Sequence, residues 1–163
     1  MHSELALNNE LRITKKFFLY HVQRKEKLCS IATSVSTKET TWIFTDQQSS
    51  SVNGSLAAQD YKDAAALRES LFISVILRCD LDENIRRMGS SGRGGHINTK
   101  LTDAGILQII RATEDLYSFG GDCEFELDIS KLSASQAASR IYEQISMTCS
   151  ILPAIMVHLL TYA

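Results

Sequence analysis

The chain has 163 residues, of which 44% are hydrophobic and 22% charged, and its formal net charge is −2. These values are typical of one globular domain with a single core, and they neither favour nor exclude a nucleic-acid partner. The four cysteines form no CxxC pair, which argues against a zinc site or a disulfide framework. Free thiols and a polar N-terminal segment favour a cytoplasmic protein.

The first part of the chain predicts a helix, a strand and a second helix. Residues 9–34 carry a loose helical stripe of apolar side chains, with basic residues on the other faces. Residues 41–46 are aromatic and β-branched and predict a strand, which a polar loop over residues 47–54 follows. The alanine-rich residues 55–70 predict a helix with Tyr61 on its inner face.

The centre of the chain predicts a fully buried strand. Residues 72–79, FISVILRC, are apolar almost throughout, which is typical of a strand covered on both faces in a parallel sheet. A short helix over residues 80–88 and a glycine-rich loop over residues 89–100 come next. Thr102 is predicted to cap a further helix that continues to Gly120.

The remaining elements complete an alternating pattern. Residues 123–129, CEFELDI, alternate as a strand, and Ser133 with Gln136 forms a capping box for a helix that ends near Ile145. The order is one helix followed by three strand–helix units. This order predicts an α/β fold with helices on both faces of a parallel sheet.

The expected domain spans residues 1–146, and an apolar tail follows over residues 147–163. Residues 145–163 carry no formal charge and reach about the minimum length of a membrane-spanning helix. Pro153 and His158 interrupt this run and favour a packed or poorly ordered tail over a membrane anchor.

Acidic residues end the three predicted strands. Because the carboxyl ends of parallel strands meet at one edge of the sheet, where ligands bind, we expect Asp46, Asp80 and Asp128 at that edge. Three arginines follow the second strand, namely Arg86, Arg87 and Arg93. Guanidinium groups match phosphate oxygens and stay charged, so this pattern suits phosphoryl transfer, with the acid holding hydrated Mg²⁺ or positioning a hydroxyl group.

Five ordered blocks of the chain resemble an uncharacterised group of P-loop kinase-like proteins and, more distantly, shikimate and gluconate kinases. The blocks are TWIFTDQQSS, FISVILRCDLDENIRRM, GRGGHINTKLTDAGIL, IRATEDLYSFG and ELDISKLSASQAASRI, between Leu11 and Ile145. The resemblance implies a three-layer sheet of the P-loop NTPase type. It also implies ATP and Mg²⁺ as cofactors and a small molecule, rather than nucleic acid, as phosphoryl acceptor.

The resemblance implies a role for residues on the acceptor side. Asp46 matches the catalytic acid at the tip of the Walker B-like strand, and Gln47 beside it would contact the substrate. Arg111 matches the arginine that faces the acceptor in shikimate-type kinases.

On the nucleotide side, Arg86 and Arg87 match the start of the lid, and Arg93 matches the catalytic arginine of the lid itself. Ser130, in the loop after the third strand, matches the segment that lies against adenine.

The chain departs from this family at its phosphate-binding unit. None of the eight glycines begins the pattern G-x-x-x-x-G-K-S/T, whose backbone N–H groups and lysine cradle the phosphates. The chain therefore resembles an incomplete domain without its first strand, whether a degenerate copy, a shortened gene or a fragment, and we expect it to be inactive as a kinase. The missing strand is expected to leave a gap, or to let residues 41–46 pair directly with residues 72–79.

Simpler interpretations of the same residues remain open. Asp46 could cap a turn, and the guanidinium of Arg86 or Arg87 could lie on a solvated helix face. The SGRGG stretch is a single copy, which favours a plain loop over an RNA-binding segment. The alternative function is a non-catalytic interaction or remnant protein, with tail anchoring at a membrane as one form of it.

Overall fold

The computed structural model describes residues 23–35, 40–90, 101–148 and 155–162. Within these ranges the chain is an α/β fold with five helices and one four-stranded parallel sheet. The helices are α1 (residues 23–33), α2 (Val52–Leu67), α3 (Leu81–Met88), α4 (Ala104–Thr113) and α5 (Ala134–Thr148). The strands are β1 (Trp42–Asp46), β2 (Leu71–Arg78), β3 (Glu124–Asp128) and β4 (Ile155–Thr161).

The strand order is β1-β4-β2-β3, so the last strand in the chain lies inside the sheet. β4 pairs in parallel with β1, from Trp42↔Met156 to Asp46↔Leu160, and with β2 on its other side. The expectation of a gap, or of direct pairing between the first two strands, is therefore wrong. An uncharged apolar segment can occupy such a position because a central parallel strand is covered on both faces.

The predicted apolar tail is therefore part of the sheet. Four residues of β4, Met156, Val157, His158 and Leu160, are 0–1% exposed. No helix in the described ranges is both long and apolar enough to cross a bilayer. Residues 149–154, with Pro153, lie outside the described part of the chain.

Helices cover both faces of the sheet and make three layers. Side chains on one face contact α1, α2, α3 and α4, and we call this the α2 face; its buried residues include Tyr61, Ala65, Ile76, Leu107, Met156 and Leu160. The opposite α5 face buries Ile73, Val75 and Val157 against Ile141 and Ile145 of α5. β2 is buried along its centre, as its unbroken apolar run predicts.

Polar residues directly before α4 and α5 cap these helices. The capping box before α5 is confirmed, since the Ser133 N–H donates to Gln136 Oε1 at 2.9 Å and the Gln136 N–H donates to Ser133 Oγ at 3.2 Å. The cap of α4 is Asp103, whose carboxylate accepts from the Ile106 N–H at 3.0 Å, rather than the predicted Thr102.

α4 ends at Thr113, seven residues before the predicted stop at Gly120. The chain is extended at Glu114 and then pairs with the loop that follows β1. The Ser50 N–H donates to the Asp115 carbonyl, and the Tyr117 N–H donates to the Gln48 carbonyl, both at 2.9 Å. These long-range bonds hold residues 114–117 in an extended form that no local pattern indicated.

The strand boundaries agree closely with the sequence, whereas those of α2 do not. Each of the first three strands begins and ends within one residue of its predicted limits. α2 begins and ends three residues earlier than the predicted helix over residues 55–70, because Ser51 caps it and the last residues of the predicted loop lie in its first turn. The predicted helix over residues 9–34 is described only from residue 23, and most of the predicted glycine-rich loop, residues 91–100, lies outside the described residues.

The start of α2 requires a glycine. Ser51 caps this helix by accepting from the Gly54 N–H at 3.2 Å, and the turn brings Gly54 against the backbone of Ser49. A Cβ at Gly54 would lie 2.2 Å from the Ser49 carbonyl oxygen and 2.7 Å from the Ser49 backbone nitrogen.

We expect Gly54→Ala to lower the free energy of unfolding by about 3 kcal/mol, the upper end of the usual cost of overpacking. The measurement is urea unfolding followed by far-ultraviolet circular dichroism. Gly89→Ala is the control, because its new Cβ would meet nothing closer than 3.8 Å and the φ of Gly89 is −79°. Equal midpoints for the two variants would contradict the close approach at Gly54.

Candidate functional site

Asp46 lies at the end of β1 and accepts hydrogen bonds from three side chains of the α2 face. His158 Nε2 is 2.6 Å from its Oδ1 atom. The Tyr61 hydroxyl and the Gln48 amide both donate to Oδ2 at 2.7 Å. We call these four residues the Asp46 cluster. It brings together β1, β4, α2 and the loop after β1.

His158 is the fully buried member of the Asp46 cluster, with 0% exposure. Its ring stacks on Tyr61 with centroids 4.2 Å apart, and Phe72 and Phe119 lie 6.3 Å away. Its Nδ1 atom has no hydrogen-bond partner among the described residues. An imidazole enclosed by aromatic rings cannot reach a solvent-borne substrate, so this Asp–His pair is not arranged as a hydrolase dyad.

The charge of Asp46 is maintained by its partners. Burial acts to raise the pKa of Asp46, but the hydrogen bond and the charge of His158, with the bonds from Tyr61 and Gln48, lower that pKa below its ordinary value of 3.8. Asp46 is therefore ionised near neutral pH. Its two oxygens already accept three short hydrogen bonds, two at Oδ2 and one at Oδ1.

Among the described residues no group of three or more His, Cys, Asp or Glu side chains could hold a metal ion.

The lowered pKa of Asp46 predicts acid sensitivity. A carboxylate whose pKa is lower in the folded state stabilises the fold above its unfolded pKa, here 3.8, and that contribution is lost as the pH falls through the folded value. We expect the stability gap between the native chain and Asp46→Asn to close as the pH falls below 3.8. Urea unfolding of both proteins across this range measures it, and a gap that stays constant in acid would contradict the pairing.

A second feature is a cleft of about 820 Å³ beyond the carboxyl ends of β2 and β4. It lies between α3 and the first turns of α5. Its apolar wall includes Leu77, Ile129, Leu132, Ala137, Ile141 and Leu159. Its polar rim carries Glu83 and the three cations Arg86, Arg87 and Lys131. This is the edge of a parallel sheet at which ligands bind.

The two paired arginines have different surroundings. Arg87 donates to the Ile129 carbonyl at 2.7 Å and to the Leu132 carbonyl at 3.0 Å, so it fastens α3 to the loop after β3. The side chain of Arg86 is 71% exposed, and its described partner is Glu83, 2.6 Å away. Both guanidinium groups lower the pKa of Glu83 to about 2, so the carboxylate stays charged beside them.

The hydroxyl of Ser130, also in the cleft, already has local partners. It donates to Asp128 Oδ1 at 2.6 Å and accepts from the Asp80 N–H at 2.8 Å. The cleft thus brings together the predicted nucleotide-side residues Arg86, Arg87 and Ser130, while Asp46 does not line it.

The acceptor-side residues are distributed differently. Gln47 is partly buried directly after Asp46. Arg111 donates to the Cys79 carbonyl at 2.7 Å, and its guanidinium lies 5.0 Å from the centre of the Tyr162 ring. Arg93 lies outside the described residues.

Sequence reasoning missed the partners of Asp46. His158 is a lone polar side chain within an apolar run, and this is the signal that could have marked it as a partner for a buried acid. The sequence predicts Tyr61 on the inner face of α2, which its 6% exposure bears out, but it does not predict the contact with Asp46. Tyr61 is 15 residues and His158 is 112 residues from Asp46 in the sequence, so no local pattern reveals their contacts with Asp46.

No protein-family model, curated protein sequence or solved structure matches this chain.

Proposed function

We propose that this chain is a P-loop kinase-like domain that binds an adenine nucleotide in the cleft beyond β2 and β4 and transfers no phosphoryl group by itself. The observation that supports this most directly is the cleft, which combines an apolar wall with Arg86, Arg87 and Lys131 at the carboxyl edge of a parallel sheet. An apolar wall suits a planar base, and arginine suits phosphate oxygens.

The strand order supports the same proposal. Asp46 ends a strand that is separated from β2 by one strand, and this is where the family resemblance requires the strand of the phosphate loop. β4 occupies that position, and none of the eight glycines in residues 1–163 begins a G-x-x-x-x-G-K-S/T pattern. These residues therefore do not supply the backbone cradle and lysine that give the main electrostatic stabilisation of a transferring phosphoryl group.

Asp46 has a structural role in this proposal. Its oxygens accept from His158, Tyr61 and Gln48, and we assign it the role of holding these elements together rather than that of a catalytic acid. The proposed activity is therefore binding alone.

Isothermal titration calorimetry with ATP and with ADP tests the proposal. We expect weak, saturable binding that Arg86→Ala reduces about tenfold, as expected when one charge-assisted hydrogen bond is lost. Arg78→Ala is the matched control, because Arg78 also pairs with a glutamate, at 2.9 Å, but does not line the cleft.

Three results would contradict the proposal. They are no binding of either nucleotide, equal affinities for Arg86→Ala and the native chain, and ATP turnover that Asp46→Asn abolishes. The first result would favour the alternative of a non-catalytic interaction protein.

A further inference from the structure

We propose that two copies of this chain associate by antiparallel pairing of their β1 strands, which would join the two sheets into one of eight strands. In the described part of the chain, β1 pairs only with β4, so its outer edge carries backbone N–H and C=O groups without a strand partner. Such an edge binds another extended strand through main-chain hydrogen bonds.

The two edges of the sheet differ in charge. β3, at the other edge, has a carboxylate at every second residue, namely Glu124, Glu126 and Asp128. Like charges opposed across a strand pair are destabilising, so this edge is protected against pairing with itself. β1 carries a single charge, at its last residue Asp46, and residues 40–45, TTWIFT, carry no charge and no proline. The β1 edge is therefore less protected by charge than the β3 edge.

The side chains of β1 make this edge self-complementary. Ile43 is 61% exposed on the α5 face, although it lies within a strand. A two-fold axis through Ile43 places it opposite Ile43 of the second copy and places Trp42 opposite Phe44 in both directions. Directly opposed Cβ atoms lie about 4.5–5.5 Å apart, and aromatic pairs of this kind stabilise sheets.

A second copy is the occupant that this geometry favours. In this register Asp46 lies opposite Thr40, so no like charges meet across the interface. A two-fold interface uses the same surface on both copies and closes after one association. The protected β3 edge then prevents further growth, so the expected product is a dimer rather than a filament.

Sedimentation velocity of the full-length chain tests the proposal. We expect a species of twice the monomer mass, and we expect Ile43→Lys to weaken its association at least about a hundredfold, because two lysines would face one another across the axis. The matched control is Ile109→Lys, which alters an isoleucine of α4 that is 65% exposed. This control should leave the dimer unchanged.

A charge-swap experiment tests the register itself. Ile43→Lys and Ile43→Glu should each be monomeric alone. An equimolar mixture of the two should restore the dimer, because residue 43 of one chain lies opposite residue 43 of the other. A monomeric native chain, a dimer that Ile43→Lys leaves intact, loss of the dimer in Ile109→Lys, or failure of the mixture to associate would each overturn the proposal.

Discussion

Deleting residues 149–163 is expected to abolish the cooperative unfolding of the chain. β4 lies between β1 and β2, so its removal breaks two strand ladders at once. Met156, Val157 and Leu160 are each at most 1% exposed, and full burial of such a side chain contributes about 1.5–3 kcal/mol. The free energy of unfolding of a whole domain is only about 5–15 kcal/mol, so the loss of these three buried side chains is comparable to the total stability.

The measurement is thermal unfolding followed by near-ultraviolet circular dichroism, which reports on Trp42, the single tryptophan. Trp42 packs against the cluster that contains Met156. Without β4 the indole ring should lose its fixed surroundings, and its near-ultraviolet signal should disappear. Leu160→Ala gives a graded test and should cost about 2–5 kcal/mol. Met147→Ala, at a residue that is 70% exposed, is the control and should change stability by less than about 0.5 kcal/mol. A truncated chain with the native midpoint would contradict a central β4.

The second large effect is expected for Asp46→Ala, which should lower the free energy of unfolding by about 3 kcal/mol. The variant removes the acceptor of three side-chain hydrogen bonds, which come from His158, Tyr61 and Gln48. One hydrogen bond contributes about 1 kcal/mol to stability, so the three together give a loss of this size.

A double-mutant cycle separates the pair from general disruption. His158→Leu removes the imidazole, and Asp46→Ala in that background should cost about 2 kcal/mol less than in the native chain, a typical coupling for residues in contact. Denaturant unfolding of the four proteins gives this coupling energy. A coupling near zero would mean that Asp46 and His158 stabilise the fold independently, contrary to their 2.6 Å contact.

Elements that depend on local interactions were predicted correctly from the sequence, and elements that depend on contacts between distant residues were not. Unbroken apolar runs and period-two alternation are local, and they located β1, β2 and β3 to within one residue. The capping box at Ser133 is equally local and was also found. The early end of α4 depends on bonds from residues 115 and 117 to the loop after β1, which no local pattern contains.

The C-terminal segment shows the limit most clearly. An uncharged apolar run is compatible with a buried strand, a packed tail or a membrane helix, and periodicity alone does not separate them. What decides between them is the unfilled position between β1 and β2, and those strands lie far away in the sequence. The sequence indicated both that the sheet lacks a central strand and that an apolar segment lies near the end of the chain. It did not indicate that the segment fills the sheet. The contact between His158 in this segment and Asp46 at the end of β1 is the side-chain interaction that joins the two.

The most direct test of this account is amide hydrogen exchange across β4, resolved by mass spectrometry of peptides that cover residues 155–161. A central strand opens only when the whole domain unfolds, so these amides should exchange as slowly as those of β2, Leu71–Arg78. Both strands should also accelerate together when denaturant is added. Exchange of residues 155–161 at the rate of an unfolded peptide, while β2 remains protected, would contradict the placement of β4 in the sheet.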